Sequence, residues 1–204
     1  GGQVTTDGWS VNTSQPSYQP SGVTPAADGP RTMANPKGGS KLGPYDLGEP
    51  VPPQTATTIG DTLSAKGVSW AWYAGAWNAA VADGMQAPAA KRDVIYQRAA
   101  PSPNFQPHHQ PFNYFARFAP GTADRARHLK DGEDLMADIT AGKLPAVAFY
   151  KPPGRDNQHP SYTDIMTGDT HIAAVLEKLR ASPQWPNMLV IVTYDENGGY
   201  WDHV

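Results

Sequence analysis

Apolar residues recur at helical spacing in three stretches of the chain, and each stretch leads into a short apolar run. The first opens at Thr58-Ile59-Gly60-Asp61, a capping-box pattern with Asp in place of Glu or Gln. Ile59 and Leu63 continue it, Gly67 stops it, and Val68-Ser-Trp-Ala-Trp-Tyr73 reads as a strand. In the second, Asp131 to Ala141 carries Leu135, Met136 and Ile139 and ends at Gly142, and Pro145 to Tyr150 is the strand. In the third, Asp169 is placed to cap a helix bearing Ile172, Val175, Leu176 and Leu179, and Asn187 to Tyr194 reads as a strand apolar on both faces. Repeated helix-then-strand units with continuous apolar strands predict an α/β fold whose parallel sheet is covered on both faces.

Such sheets carry their chemistry beyond the carboxyl ends of the strands. Polar residues gather there: Trp77-Asn78 after the first strand, Lys151 to Pro160 after the second, and Asp195-Glu196-Asn-Gly-Gly199 after the third. Residues 1–53 differ in kind. They hold nine Pro and nine Gly with no lasting period. They read as a separate Pro/Gly-rich segment, either a linker or an extended stretch wrapped over the body formed by residues 54–204. Trp9, Val11, Tyr18 and Tyr45 are anchors that favour wrapping.

Composition narrows the chemistry. The 204 residues are 39% hydrophobic and 17% charged, with 20 Gly and 21 Pro, so loops take up much of the length. A net charge of −3 argues against nucleic acid as a partner. No window approaches the about 18 apolar residues of a membrane span. Cys is absent, which excludes disulfides, thiolate metal sites and a Cys nucleophile.

Three groups of residues can carry function. Asp195 and Glu196 supply hard oxygen ligands for a metal, or form a hydrated strand end. His108 and His109, bracketed by prolines and aromatics, suit phosphate or metal contact or proton transfer, or are loop histidines with structural hydrogen bonds. His159 follows the Lys151-Pro-Pro-Gly turn on the same edge as Asp195, as a functional residue or a loop cap. His171 falls in the first turn of the third helix and reads as neutral and structural. His128, between Arg127 and Lys130, reads as exposed. No nucleophile elbow, phosphate-cradling Gly-Lys-Ser/Thr loop or dinucleotide fingerprint occurs.

Leu189-Val-Ile-Val-Thr-Tyr-Asp-Glu-Asn-Gly-Gly-Tyr-Trp-Asp-His-Val204 resembles the metal-binding strand and loop of the bacterial phosphoesterase family, which contains acid phosphatases and phospholipases C. Gly67 to Tyr73, Asn104 to Phe112, Leu144 to Gly154 and Asn157 to Pro160 fit it as well. The resemblance runs from about residue 54 to the end, and the His-His pair is similar to the acid phosphatase branch. It implies a three-layer sandwich around a mainly parallel sheet, similar to alkaline phosphatase. Asp195 and Glu196 would be ligands of one divalent or transition metal ion, Glu196 being a mild departure from Asp-Asp. His108 and His109 would bind phosphate and His159 would act in catalysis.

The family's first metal ligands and its Ser nucleophile have no match here. The resemblance thus implies an internal piece of a larger enzyme, with the remaining parts upstream and downstream. The implied activity is metal-dependent acid phosphatase hydrolysis of a small phosphate ester in the periplasm or outside the cell. A phospholipase C acting on a phospholipid headgroup is the alternative, which a groove built from Trp70, Trp72, Trp77 and Trp201 would support. A non-catalytic module binding metal or a partner is the third reading.

Overall fold

A computed structural model describes residues 16–23, 52–87, 90, 93–160 and 163–195. Among them three strands form one parallel sheet in the order β2-β1-β3. β1 (Trp70–Ala74) lies between β2 (Leu129–Asp131) and β3 (Val147–Lys151). In register, Trp72 faces Leu129 on one side and Phe149 on the other, and Ala74 faces Asp131 and Lys151. The carboxyl ends of all three strands therefore form one edge.

Strand alternation sends β1 into two cores. Trp70 and Ala74 join Trp77, Phe105, Phe112 and Phe118, with Trp72 packed against them, while Ala71 and Tyr73 meet Leu135 and Ile139. The first core belongs to α1 (Ile59–Ala65), α2 (Trp77–Met85) and α3 (Ala123–His128), together with the loop around Phe105 and Phe112. The second belongs to α4 (Gly132–Ala141) and α5 (Ile165–Ala181). The fold is α/β, a small open parallel sheet with helices on both faces. None of the described helices is long and apolar enough to cross a membrane.

Local signals act as the sequence indicates at α1 and α4. Thr58 and Asp61 make a reciprocal capping box, and so do Asp131 and Asp134. Gly142 closes α4 at φ 64, where a Cβ would be strained. α5 differs: its cap is Asp164, which accepts from the Thr167 N–H at 2.7 Å, so Asp169 lies inside the helix. His171 consequently sits beyond the first turn. Its Nε2 lies 2.8 Å from the Tyr150 hydroxyl, and burial lowers its pKa.

The expected third strand is a correction. Residues 188–194 make no ladder among the described residues, and Leu189 and Ile191 are 86% and 77% exposed. An apolar run becomes a buried strand only when a partner satisfies its backbone and a layer covers its side chains. The chain flanking this segment is nevertheless tied near the two ends of β3. Upstream, Gln184 bonds both the N–H and the carbonyl of Leu144, at 2.8 and 3.1 Å. Downstream, Asp195 forms an ion pair with Lys151.

His128 is also a correction. It is 5% exposed, its ring stacks on Trp70 at 4.0 Å and 6°, and its Nδ1 meets the Trp70 carbonyl at 2.8 Å. α3 runs directly into β2 at this residue, which turns the imidazole under the sheet while Arg127 stays outside.

Residues 16–23 lie on the body. Pro16 and Pro20 are buried, the Tyr18 carbonyl accepts from Asn113 Nδ2 at 2.7 Å, and the Pro20 carbonyl accepts from Arg125. Trp9, Val11 and Tyr45 lie outside the described residues.

Candidate functional site

Lys151 stands at the carboxyl end of β3, and its backbone is held from two sides. The Gly75 N–H donates to its carbonyl at 2.9 Å, and Ala74 pairs with it in the ladder. Gly75 is needed there because a Cβ would come within 2.2 Å of Pro153 Cδ and 2.5 Å of its backbone nitrogen. Gly75→Ala is therefore expected to cost about 1–3 kcal/mol by forcing the strand ends apart. Thermal denaturation checks this, and an unchanged melting temperature would mean that the loop yields freely.

The loop carrying the two histidines docks on the turn after β3. The Gly154 N–H donates to the Asn104 carbonyl at 3.0 Å, and the Arg155 N–H donates to Pro103 at 3.3 Å. Pro107 starts a 3₁₀ turn, Pro107–His109, that presents both imidazoles. His109 Nδ1 meets the Pro152 carbonyl at 2.8 Å, and Trp72 Nε1–H donates to the His109 carbonyl at 2.6 Å. The two rings lie edge to face at 4.7 Å. Asn104 and Gln158, one on each loop, hold left-handed backbone at φ 55 and 66, as does Ala76 at φ 68 after β1.

Burial pushes the His109 imidazole down to about 3, with the neighbouring His108 and Lys151 adding to the effect. Burial likewise holds His108 at about 4, assisted by Lys151 and His159 and opposed by Asp195. Both are thus neutral at pH 7. In the unfolded chain they take up protons near pH 6.5, so the unfolded state binds more protons at lower pH. Their contribution to stability is complete above pH 6.5 and is lost as pH falls toward the folded values. Unfolding followed at pH 7.5 and pH 4.5 is expected to show a loss on the order of a few kcal/mol. A melting temperature flat across that range would contradict it.

The Lys151–Asp195 pair completes the corner. Lys151 is 25% exposed and Asp195 62% exposed at the side chain. Although burial alone would raise the Asp195 carboxyl, the hydrogen bond and charge of Lys151 hold it below the usual carboxylate value. His159 is exposed, with Nδ1 2.6 Å from the Pro160 carbonyl, and lies close enough to His108 for their charges to interact. The structure therefore brings His108, His109, His159 and Asp195 to one edge. Glu196 lies outside the described residues.

No three His, Asp or Glu side chains come together as a metal shell among the described residues. Asp195 is the one described member of the acidic pair that would hold a metal, and its carboxylate is turned to Lys151. The described serine hydroxyls are engaged elsewhere: Ser17 with Tyr114, Ser21 with Val23, Ser64 with Trp70, Ser69 with Ala146, Ser102 with Val94 and Ser182 with Ile139. Ser161 lies outside the described residues.

A pocket of about 330 Å³ lies away from this edge, lined by Gln54, Asp61, Phe115 and Arg117 among others. Arg117 there is paired with both Asp61 and Asp124, so its charge is already compensated. The tryptophans proposed as a lipid groove do something else. Trp70 and Trp77 are 2% and 4% exposed in the core, with Trp72 packed against them, and Trp201 lies outside the described residues. For Lys151 the signal in the sequence is its place directly after an apolar strand, at the start of the polar stretch 151–160.

Imidazoles, a lysine and a carboxylate thus gather at the carboxyl edge of a parallel α/β sheet. The profile of the Phosphoesterase family matches residues 7–204, and the chain belongs to that family. It is similar to non-specific phospholipase C3 of Arabidopsis thaliana, 33% identical over 118 residues, covering 54% of this chain and 20% of that protein. It is also similar to non-specific phospholipase C6 of the same plant, 41% identical over 75 residues, covering 33% of this chain and 14% of the relative. Phospholipase C A of Mycobacterium tuberculosis (strain ATCC 25618 / H37Rv) is 36% identical over 72 residues, covering 35% and 14%. The matched stretches thus span between 14% and 20% of the length of these curated relatives.

Proposed function

We propose that the chain supplies the phosphate-binding and proton-donating edge of a phosphoric ester hydrolase. The observation that carries this reading is the convergence of His108, His109, His159 and Asp195 around Lys151, from three separate stretches of chain. His108 is neutral and its Nδ1 has no partner among the described residues, so it can offer an N–H to a phosphoryl oxygen without adding charge, while His109, whose Nδ1–H is taken by the Pro152 carbonyl, presents Nε2 as an acceptor for a protonated phosphoryl oxygen. His159, exposed at the rim, is placed to give its proton to the leaving oxygen as the P–O bond breaks. The attacking hydroxyl is proposed to be a Ser outside the described residues, so that the phosphoryl group passes first to Ser and then to water. Asp195, with Glu196, is proposed to serve a divalent or transition metal ion.

A phosphomonoester is the substrate class we favour. Lys151, Asp195 and His159 are polar groups suited to a phosphoryl group, while Trp70, Trp72 and Trp77 serve the core rather than a groove for acyl chains. The second reading is a phospholipase C, favoured by the names of the relatives. Release of p-nitrophenol from p-nitrophenyl phosphate, compared with release of phosphocholine from phosphatidylcholine by the whole protein, separates them. Higher kcat/KM on p-nitrophenyl phosphate supports the first reading, and the reverse supports the second. Hydrolysis of neither would leave a binding module. The periplasmic or secreted location is proposed with this activity, and fractionation of expressing cells tests it.

A further inference from the structure

We propose that Lys151 is an anion-binding residue of this site, whose ammonium passes from Asp195 to the phosphoryl group when a phosphate ligand enters. The inference rests on the phosphoester reading above and adds to it a residue that the family resemblance did not assign.

Three observations carry it. The first is positional. Lys151 ends β3 with its carbonyl held by Gly75 and the next carbonyl, that of Pro152, bound to His109. Its side chain therefore starts from a rigid strand end, the placement that a positioning group requires. The second is the nature of its partner. Asp195 is 62% exposed at the side chain and reaches Lys151 from a segment with no ladder among the described residues. An ion pair with one partner so exposed holds weakly, so it yields readily to a competitor. A phosphate dianion carries twice the charge of a carboxylate and offers more acceptor oxygens. The third is charge balance. Lys151 is the cation that acts on both His108 and His109, and Asp195 is the anion that acts on both. With Asp195 engaged on Lys151 the corner is close to neutral. Once Lys151 turns to a ligand, its charge and the neutral His108 N–H face the same anion. His108 Nδ1 is buried without a hydrogen-bond partner among the described residues, so a phosphoryl oxygen beside it would supply one.

The alternative is that Lys151 only neutralises Asp195. Calorimetric titration of inorganic phosphate into the whole protein, wild type against Lys151→Met and Lys151→Arg, distinguishes them. Lys151→Met is expected to weaken phosphate binding ~10–100-fold, the scale of a lost charge-assisted hydrogen bond, and to raise KM more than it lowers kcat. Lys151→Arg, which keeps the cation, is expected to stay within ~5-fold. Lys151→Gln repeats the charge loss if Lys151→Met does not fold. Phosphate affinity unchanged in the neutral variants, while wild type binds phosphate and hydrolyses esters, would overturn this proposal alone. Wild-type protein that neither binds phosphate nor hydrolyses esters would overturn the phosphoester reading and this proposal with it.

Discussion

Replacing His108 and His109 together by Ala in the whole protein is expected to lower ester hydrolysis by ~10²-fold or more, the usual scale for proton-transfer or charge-stabilising groups. Two effects contribute. The imidazole nitrogens that would meet phosphoryl oxygens disappear, and the loop loses the His109 Nδ1 contact to Pro152 at 2.8 Å that fixes it against the strand end. Single replacements separate them. His108 has no hydrogen-bond partner for Nδ1 among the described residues, so His108→Ala should lower turnover with little loss of stability. His109 is 3% exposed, so His109→Ala should lower both. The measurements are kcat/KM and the melting temperature of each variant. Unchanged turnover in the double variant would reduce both residues to loop structure.

The largest stability effect is expected at Arg125. Its guanidinium is buried and donates to Asn113 Oδ1 at 2.6 Å, to the Phe118 carbonyl at 3.0 Å and to the Pro20 carbonyl. It also lies 4.9 Å over the Trp77 ring. Burial lowers its pKa to about 10, leaving it charged at neutral pH. Arg125→Met fills the space but strands three buried acceptors. A loss of about 3–5 kcal/mol is expected, or on the order of 10 °C in melting temperature. Residues 16–23 lose a clamp at the same time, so limited proteolysis should cut there sooner than in wild type. Arg125→Lys should rescue little, because one ammonium cannot reach three separated acceptors. A shift below about 2 °C would mean that water satisfies those carbonyls.

Local signals were legible where they are short-range. The Thr58–Asp61 box and the Gly142 stop involve neighbours in sequence, so their residue types suffice to announce α1 and α4. α2 and β2 were not legible. α2 begins at Ala76 in a left-handed conformation without a side-chain cap, and β2 is three residues long with Lys130 at its centre. Neither carries a local pattern that exceeds its surroundings. α5 starts earlier than Asp169 because Asp164 reaches the Thr167 N–H, and two acidic residues five apart gave the sequence two possible caps.

Determined by the sequence alone were the α/β class, the parallel sheet and the polar residues that follow its strands. These follow from the hydrophobic period, from glycine stops and from polar residues after apolar runs, all of which act over a few residues. The three-dimensional structure alone decided which charges meet. Lys151 and Asp195 are 44 residues apart and His109 and Pro152 are 43 apart, so their pairing depends on strand order and loop docking. It also decided that Trp70 stacks on His128 inside the core and that Leu189, Ile191 and Val192 of the apolar run stay exposed. Side-chain chemistry can be read residue by residue, but burial depends on what the rest of the chain places against it. That is why the same apolar character yields core at Trp70 and open surface at Ile191.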